Sequence, residues 1–228
     1  MSNDQQYLLD LKFPISFREE DYIVTNSNYL AWKFIKKWSD WGTGHLSNIV
    51  CIYSETGAGK SHLASIWQKL SGAQKVSAEF LLTARDFENN NFIIDDIEQF
   101  FEYEQALFNL FNHILDTKNF LLITASKFPP RLNIKLPDLR SRIASVFAVE
   151  LSRPDDRMIE SIITKYFSDM QIALNAAVIK FLVARINRSY AEIFATLKAL
   201  DKISLSEKRK ISIPFIKKVL YGVKSSGG

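Results

Sequence analysis

The 228-residue sequence predicts an α/β fold, with a five-stranded parallel sheet covered by helices and a small all-helical domain after it. Three observations carry that prediction. Short, wholly apolar runs recur between helical patterns in the first two thirds of the chain, and strands of that kind are buried on both faces. After Pro154 only helical periodicity remains. A glycine-rich turn, Gly57-Ala58-Gly59-Lys60-Ser61, separates the first strong strand from the helix that follows it.

The elements follow in order. Residues 1–20 read as a flexible tail. A helix within 22–38 has Tyr29, Trp32, Phe34 and Ile35 as its apolar positions and Thr25 to Asn28 as capping candidates. Gly42 and Gly44 break the chain before strand Ile49–Tyr53. Helix Ser61–Leu70, a short strand near Lys75–Ser77, a short helix near Glu79–Arg85 and strand Phe92–Asp95 come next. Leu107, Leu110, Phe111, Ile114 and Leu115 then mark one face of a helix. Strand Phe120–Thr124, a turn at Pro129-Pro130 and strand Val146–Leu151 complete the base, residues 21–152. The helical domain, 153–221, shows faces at Ile159/Ile162/Ile163/Tyr166, Val178/Phe181/Leu182 and Ile193/Leu197/Leu200, with a short helix after Pro214. Asn175 and Ser189 are its N-cap candidates, and 222–228 reads as a disordered end.

Composition excludes several classes. With 47% hydrophobic and 24% charged residues the chain is neither a disordered tail nor a disulfide miniprotein. No apolar run reaches membrane-spanning length, and the N-terminus lacks the pattern of a secretory signal. The lone Cys51 suits a reducing cytoplasm. A net charge of +4, spread along the chain, gives little reason to expect nucleic acid as a partner. The three His residues are far apart, so no structural zinc is expected.

The glycine-rich turn has the parts of a phosphate-binding loop. Gly57 and Gly59 let backbone N–H groups face phosphate oxygens, Lys60 can reach the β- and γ-phosphates, and the Ser61 hydroxyl can hold Mg²⁺. Ser54 stands where the consensus has its first glycine. Downstream, Asp95 and Asp96 end an apolar strand, and a carboxylate there holds hydrated Mg²⁺ while a second polarises an attacking water. Ser126, at the end of the next strand, is placed to sense a γ-phosphate. Arg142, in Leu139–Ile143, reads as lying on a turn beyond the core strands, where an arginine is either solvated or offered to a neighbour's nucleotide.

From about Asp21 to Leu220 these residues resemble the AAA+ module of the bacterial replication initiator DnaA and its shorter relatives, which are P-loop NTPases with a helical lid. The resemblance implies ADP or ATP as ligand, with Mg²⁺ held at Ser61 and Asp95. Tyr53–Leu63 is similar to the family's Walker A region, which implies nucleotide contacts from Glu55, Thr56, Gly57, Ala58, Gly59, Lys60, Ser61 and His62. Ile94–Ile97 is similar to its Walker B. Tyr22–Asn28 resembles the segment that contributes to the adenine pocket, implying Tyr22, Val24 and Asn28. Ser126 matches the sensor I position and Arg142 the arginine finger, which acts in trans. At the sensor II position the sequence has Ala191, with Arg188 nearly one turn earlier, so weak intrinsic hydrolysis is expected and Arg188 is the substitute for phosphate contact.

The chain ends after the lid, and only Ser77 to Asn91 lies between the second and third strands. The DNA-reading parts of initiators are therefore not expected, nor is sequence-specific DNA binding. What remains resembles the Hda group of regulators, which implies DnaA and the DNA polymerase III sliding clamp as partners, negative regulation of replication initiation, and a homo-oligomer. Gln6, Leu9 and Leu11 resemble a clamp-binding peptide; the other reading is a tail packed on the base. The alternative function is an autonomous AAA+ ATPase, a loader or remodelling motor, acting as a homo-oligomer.

Overall fold

A computed structural model describes residues 19, 22–43, 48–83, 87, 90–117 and 119–222. The described residues divide into two compact units, one ending at Arg153 and one starting at Pro154. In the first, β1 (Ile49–Tyr53), β2 (Gln74–Lys75), β3 (Phe92–Ile94), β4 (Leu121–Ala125) and β5 (Phe147–Glu150) form one parallel sheet in the order β2-β3-β4-β1-β5. The predicted five parallel strands are all present, and the third ends one residue earlier than expected.

Alternation along each strand builds two cores. In β1, Ile49 and Cys51 join one apolar cluster while Val50 and Ile52 join the other. Helix α1 (Tyr29–Lys36) and α2 (Lys60–Ser71) cover the Val50 side, where Trp67 stacks on Trp41 at 5.4 Å. Helices α3 (Ala78–Thr83), α4 (Glu104–Asp116) and α5 (Pro137–Ala144) cover the other. Right-handed crossovers explain the division. The step from β1 out to β2 carries α2 on one face, and every later step runs in the opposite direction, carrying its helix on the other.

Three local readings are corrected. The helix expected within 22–38 spans only Tyr29–Lys36, with Asn28 of the capping candidates at its N-cap position, but the Asn28 side chain makes no cap bond; it accepts from Thr25 N at 2.8 Å and donates to the Ile23 carbonyl at 2.8 Å. Residues 97–103 form a 3₁₀ helix that apolar periodicity did not reveal. Arg142 lies not on a turn but in the last turn of α5, whose start is set by Pro137 at its first position.

The second unit contains α6 (Asp156–Asp169), α7 (Ala176–Val183), α8 (Tyr190–Glu207) and α9 (Ile213–Tyr221). Ile159, Ile163, Leu182, Leu197 and Ile216 are all fully buried or nearly so. Asn175 caps α7 as expected, accepting from Ala177 N at 2.7 Å. Ser189 makes no side-chain cap on α8; Asp155 and Ser212 cap α6 and α9. Among the described residues no helix is long and apolar enough to cross a membrane.

Candidate nucleotide site

The C-terminal ends of β1, β3 and β4 converge beside β1, where the chain reverses its direction across the sheet, and open α/β sheets bind ligands at such a place. The turn leaving β1 requires two glycines. Gly57 and Gly59 have φ of 87° and 97°, a left-handed conformation that L-residues with side chains adopt rarely. Ser54 is not among the residues with positive φ, so no glycine is needed there, and the departure from consensus costs the turn nothing. Gly59 is the N-cap of α2, which directs the free amides and the positive end of the helix dipole toward the loop.

Lys60 is folded onto that loop. Its Nζ donates to the Ser54 carbonyl at 2.7 Å and to the Glu55 carbonyl at 3.3 Å. Burial lowers the pKa of this ammonium, opposed by the nearby carboxylates Asp96, Glu98 and Asp95. Ala58 is buried, and Glu55 pairs with Arg153. An open cleft of about 990 Å³ beside the loop is lined by Ser54, Thr56, Ser126, Arg131, Glu150 and Arg153, among others.

Asp95 stands just past β3. Its Oδ1 accepts from Thr124 Oγ1 at 2.8 Å and from Ser61 Oγ at 3.3 Å, and its Oδ2 accepts from Lys75 Nζ at 2.9 Å. Burial alone raises the Asp95 pKa; the hydrogen bonds from Lys75 and Thr124, with the Lys75 charge and Ser61, outweigh it and hold the carboxyl below its ordinary range. Ser61 Oγ and Asp95 Oδ1 thus form an adjacent pair of hard oxygen donors. That donor set fits Mg²⁺, which binds few protein oxygens and keeps several waters.

Thr124 is the residue whose role periodicity could not show. It is fully buried, two positions beyond Leu122 on the α2 side of β4. Its hydroxyl accepts from Asp96 N at 2.7 Å while donating to Asp95, which fixes both carboxylate residues. Asp96 has a φ of 63°, a left-handed conformation that Asp tolerates better than most residues, and its carboxylate accepts from Gln99 Nε2 at 2.9 Å. Thr124→Val, nearly isosteric, leaves the partly buried Asp96 N–H without its acceptor and Asp95 Oδ1 without its Thr124 donor, and should lower the unfolding free energy by about 1–3 kcal/mol. Denaturant titration checks this, and an unchanged midpoint would remove Thr124 from the role.

Ser126 is also engaged. Its N–H and its Oγ both donate to Glu98 Oε1 at 2.7 Å, while the other Glu98 oxygen is buried without a partner among the described residues. Glu98 went unnoticed in the sequence because it lies on the unanticipated 3₁₀ helix; its place three residues after Asp95 was the available signal.

The remaining expected residues lie around this centre or away from it. Tyr22 is buried and meets the His62 ring edge-to-face at 5.1 Å, which joins the segment before α1 to the helix after the loop. Val24 is 37% exposed, and Asn28 is buried in the bonds given above. On α5 the Arg142 guanidinium covers the Phe108 ring at 5.3 Å, and Glu104 accepts from the backbone N–H groups of Lys135 and Leu136, pinning the approach to that helix. Arg188 belongs to the second unit, where it donates to Asp156 at 2.8 Å. Ala191 is the second residue of α8. Gln6, Leu9 and Leu11 lie outside the described residues.

Residues 157–220 match the family model described as the Hda lid domain. An uncharacterized protein of Haemophilus influenzae is 34% identical over 213 residues, 88% of this chain and 87% of that protein. Domain III of the Thermotoga maritima replication initiation protein DnaA superposes with a TM-score of 0.74 at 19% identity, over 91% of this chain and 98% of that one. AMPPCP-bound DnaA from Aquifex aeolicus gives 0.67 at 22% identity, over 82% and 65%. The Thermotoga maritima RuvB Holliday junction branch migration motor gives 0.62 at 19%, over 84% and 68%. At such identities the solved structures establish the fold, a P-loop AAA+ base with a helical lid.

Proposed function

Because this chain belongs to the DnaA-related AAA+ family, close to Hda, we propose that it is a cytoplasmic negative regulator of replication initiation that stimulates hydrolysis of the ATP held by DnaA. The match of residues 157–220 to the Hda lid domain carries this reading. The chain binds ADP or ATP: Lys60 leaves the loop carbonyls for the phosphates, backbone N–H groups around Gly57 and Gly59 face the same oxygens, and Tyr22, Val24, Asn28 and His62 border the adenine. Support comes from the loop conformation and from the AMPPCP bound to the Aquifex aeolicus relative. Ser61 and Asp95 hold Mg²⁺, which screens phosphate charge when bound. Asp96 and Ser126 face the terminal phosphate.

In this scheme Arg142 is offered in trans to the nucleotide of DnaA, where an arginine stabilises transition-state charge. The tail binds the sliding clamp and raises the local concentration of the regulator near initiators on DNA. Replacing Gln6, Leu9 and Leu11 by Ala should abolish clamp association and leave the thermal transition nearly unmoved. Clamp binding that survives in the triple variant would move the contact elsewhere on the protein.

The autonomous ATPase is the second reading, favoured by the complete Lys60, Ser61, Asp95 and Asp96 set in a single chain. ATP turnover separates the two. Hydrolysis that appears only when DnaA and clamp-loaded DNA are added supports the regulator, and vigorous turnover by the protein alone supports the motor.

A further inference from the structure

We propose that Lys75 is a built-in counter-cation at the metal position, setting how strongly the nucleotide complex depends on Mg²⁺. The inference rests on the reading of the Gly57–Ser61 loop and Asp95 as a nucleotide site. Lys75 lies on the sheet-edge strand β2, in register with Ile93, and Val76 N donates to the Ile93 carbonyl at 2.8 Å. That pairing fixes the strand beside β3, so the Lys75 side chain reaches the residue just past the end of β3. Its ammonium stands 2.9 Å from Asp95 Oδ2, the oxygen that Ser61 and Thr124 leave open.

The two ends of this pair differ in freedom. The Asp95 side chain is 13% exposed and tied down by three donors, whereas the Lys75 side chain is 57% exposed and, among the described residues, held at its tip by that one ion pair. A divalent cation arriving at Ser61 and Asp95 draws on a carboxylate whose charge is already partly used, and it meets a fixed positive charge beside it. Lys75 must share Asp95 or swing into solvent. Either way Mg²⁺ is held less tightly than by an unpaired aspartate. In the absence of the metal, Lys75 keeps Asp95 neutralised, so the phosphates of a bound nucleotide meet less repulsion. Lys60 feels the charges of Asp95, Asp96 and Glu98, and Lys75 pairs with Asp95 in the same centre. Removing Lys75 therefore leaves Lys60 as the one cation among that set to offset them.

The test titrates Mg²⁺ into the full-length protein with a fluorescent ADP analogue, comparing wild type with Lys75→Met and Lys75→Arg. In Lys75→Met the half-saturating Mg²⁺ concentration should fall by about two- to fivefold, the scale set by partly exposed ion pairs. Affinity for the analogue in EDTA should fall by a similar factor. Lys75→Arg, which keeps the charge, should retain wild-type behaviour. Electron paramagnetic resonance of Mn²⁺ gives a second readout, free of any hydrolysis. An unchanged metal dependence in Lys75→Met, or an equal shift in both variants, overturns the proposal. A wild type that binds no ADP at any Mg²⁺ concentration overturns the nucleotide reading and this inference together.

Discussion

Arg142→Ala is expected to abolish stimulation of DnaA-bound ATP hydrolysis, by a factor that reaches about 10³ if arginine fingers of other NTPases set the scale. The same variant should retain its affinity for its own nucleotide and for the clamp, because a finger serves the neighbour's phosphates. The structure adds a control to this expectation. Arg142 covers the Phe108 ring on α4, so its loss also removes a cation–π contact worth about 0.5–2 kcal/mol at a half-buried site. A small drop in the thermal transition is therefore anticipated and cannot account for a thousandfold change in rate. Arg142→Lys keeps a charge but not the planar fork of donors, and should recover little of the stimulation. Arg140, exposed two residues earlier on the same helix, should matter far less. Single-turnover hydrolysis of ATP preloaded on DnaA, with clamp-loaded DNA present, measures Arg142→Ala, Arg142→Lys and the Arg140→Ala control. Full stimulation by Arg142→Ala would refute the trans mechanism and favour the autonomous ATPase.

Lys60→Ala should eliminate measurable ADP and ATP binding, a loss of about a hundredfold or more, since hydrogen bonds to charged groups are the strong ones. Lys60 spans the loop, from α2 back to the Ser54 and Glu55 carbonyls. Without nucleotide the variant loses those two bonds and a longer one to Ser54 Oγ at 3.4 Å, and solvent can replace the bond to Glu55 at the surface. The fold should therefore survive, as circular dichroism can verify, while calorimetric titration reports the affinity. Unchanged binding of both nucleotides would remove the loop from its assigned role.

Much of the candidate site was legible because its chemistry is local. A phosphate loop needs particular residue types within a few positions, so Gly57, Gly59, Lys60 and Ser61 could be read from their order alone, and their φ values supply the reason for the glycines. Asp95 and Asp96 were legible for the same reason, since an apolar strand that ends in carboxylates presents them at the sheet's edge. The strands themselves were legible because burial on both faces leaves no polar alternation to confuse. Ser189 stands at the N-cap position of α8 without a side-chain cap bond, and the turn assigned to Arg142 is a helix. Capping depends on a side-chain rotamer, and the start of α5 depends on Pro137, neither of which apolar spacing records.

The sequence by itself determined the fold class, the order of the strands along the chain and the glycine-rich turn after β1, because each is a property of neighbouring residues. Only the tertiary structure decided what those residues touch. Parallel pairing brings Thr124, 29 residues after Asp95, under both carboxylate residues. It brings Lys75, 20 residues before Asp95, onto the oxygen left open, and it ties Ser126 to Glu98. In a parallel sheet the partners across neighbouring strands are separated by a whole crossover helix, so no spacing rule within one segment can name them. Contacts of that length are set by register and sheet order, and register exists only once the chain has folded.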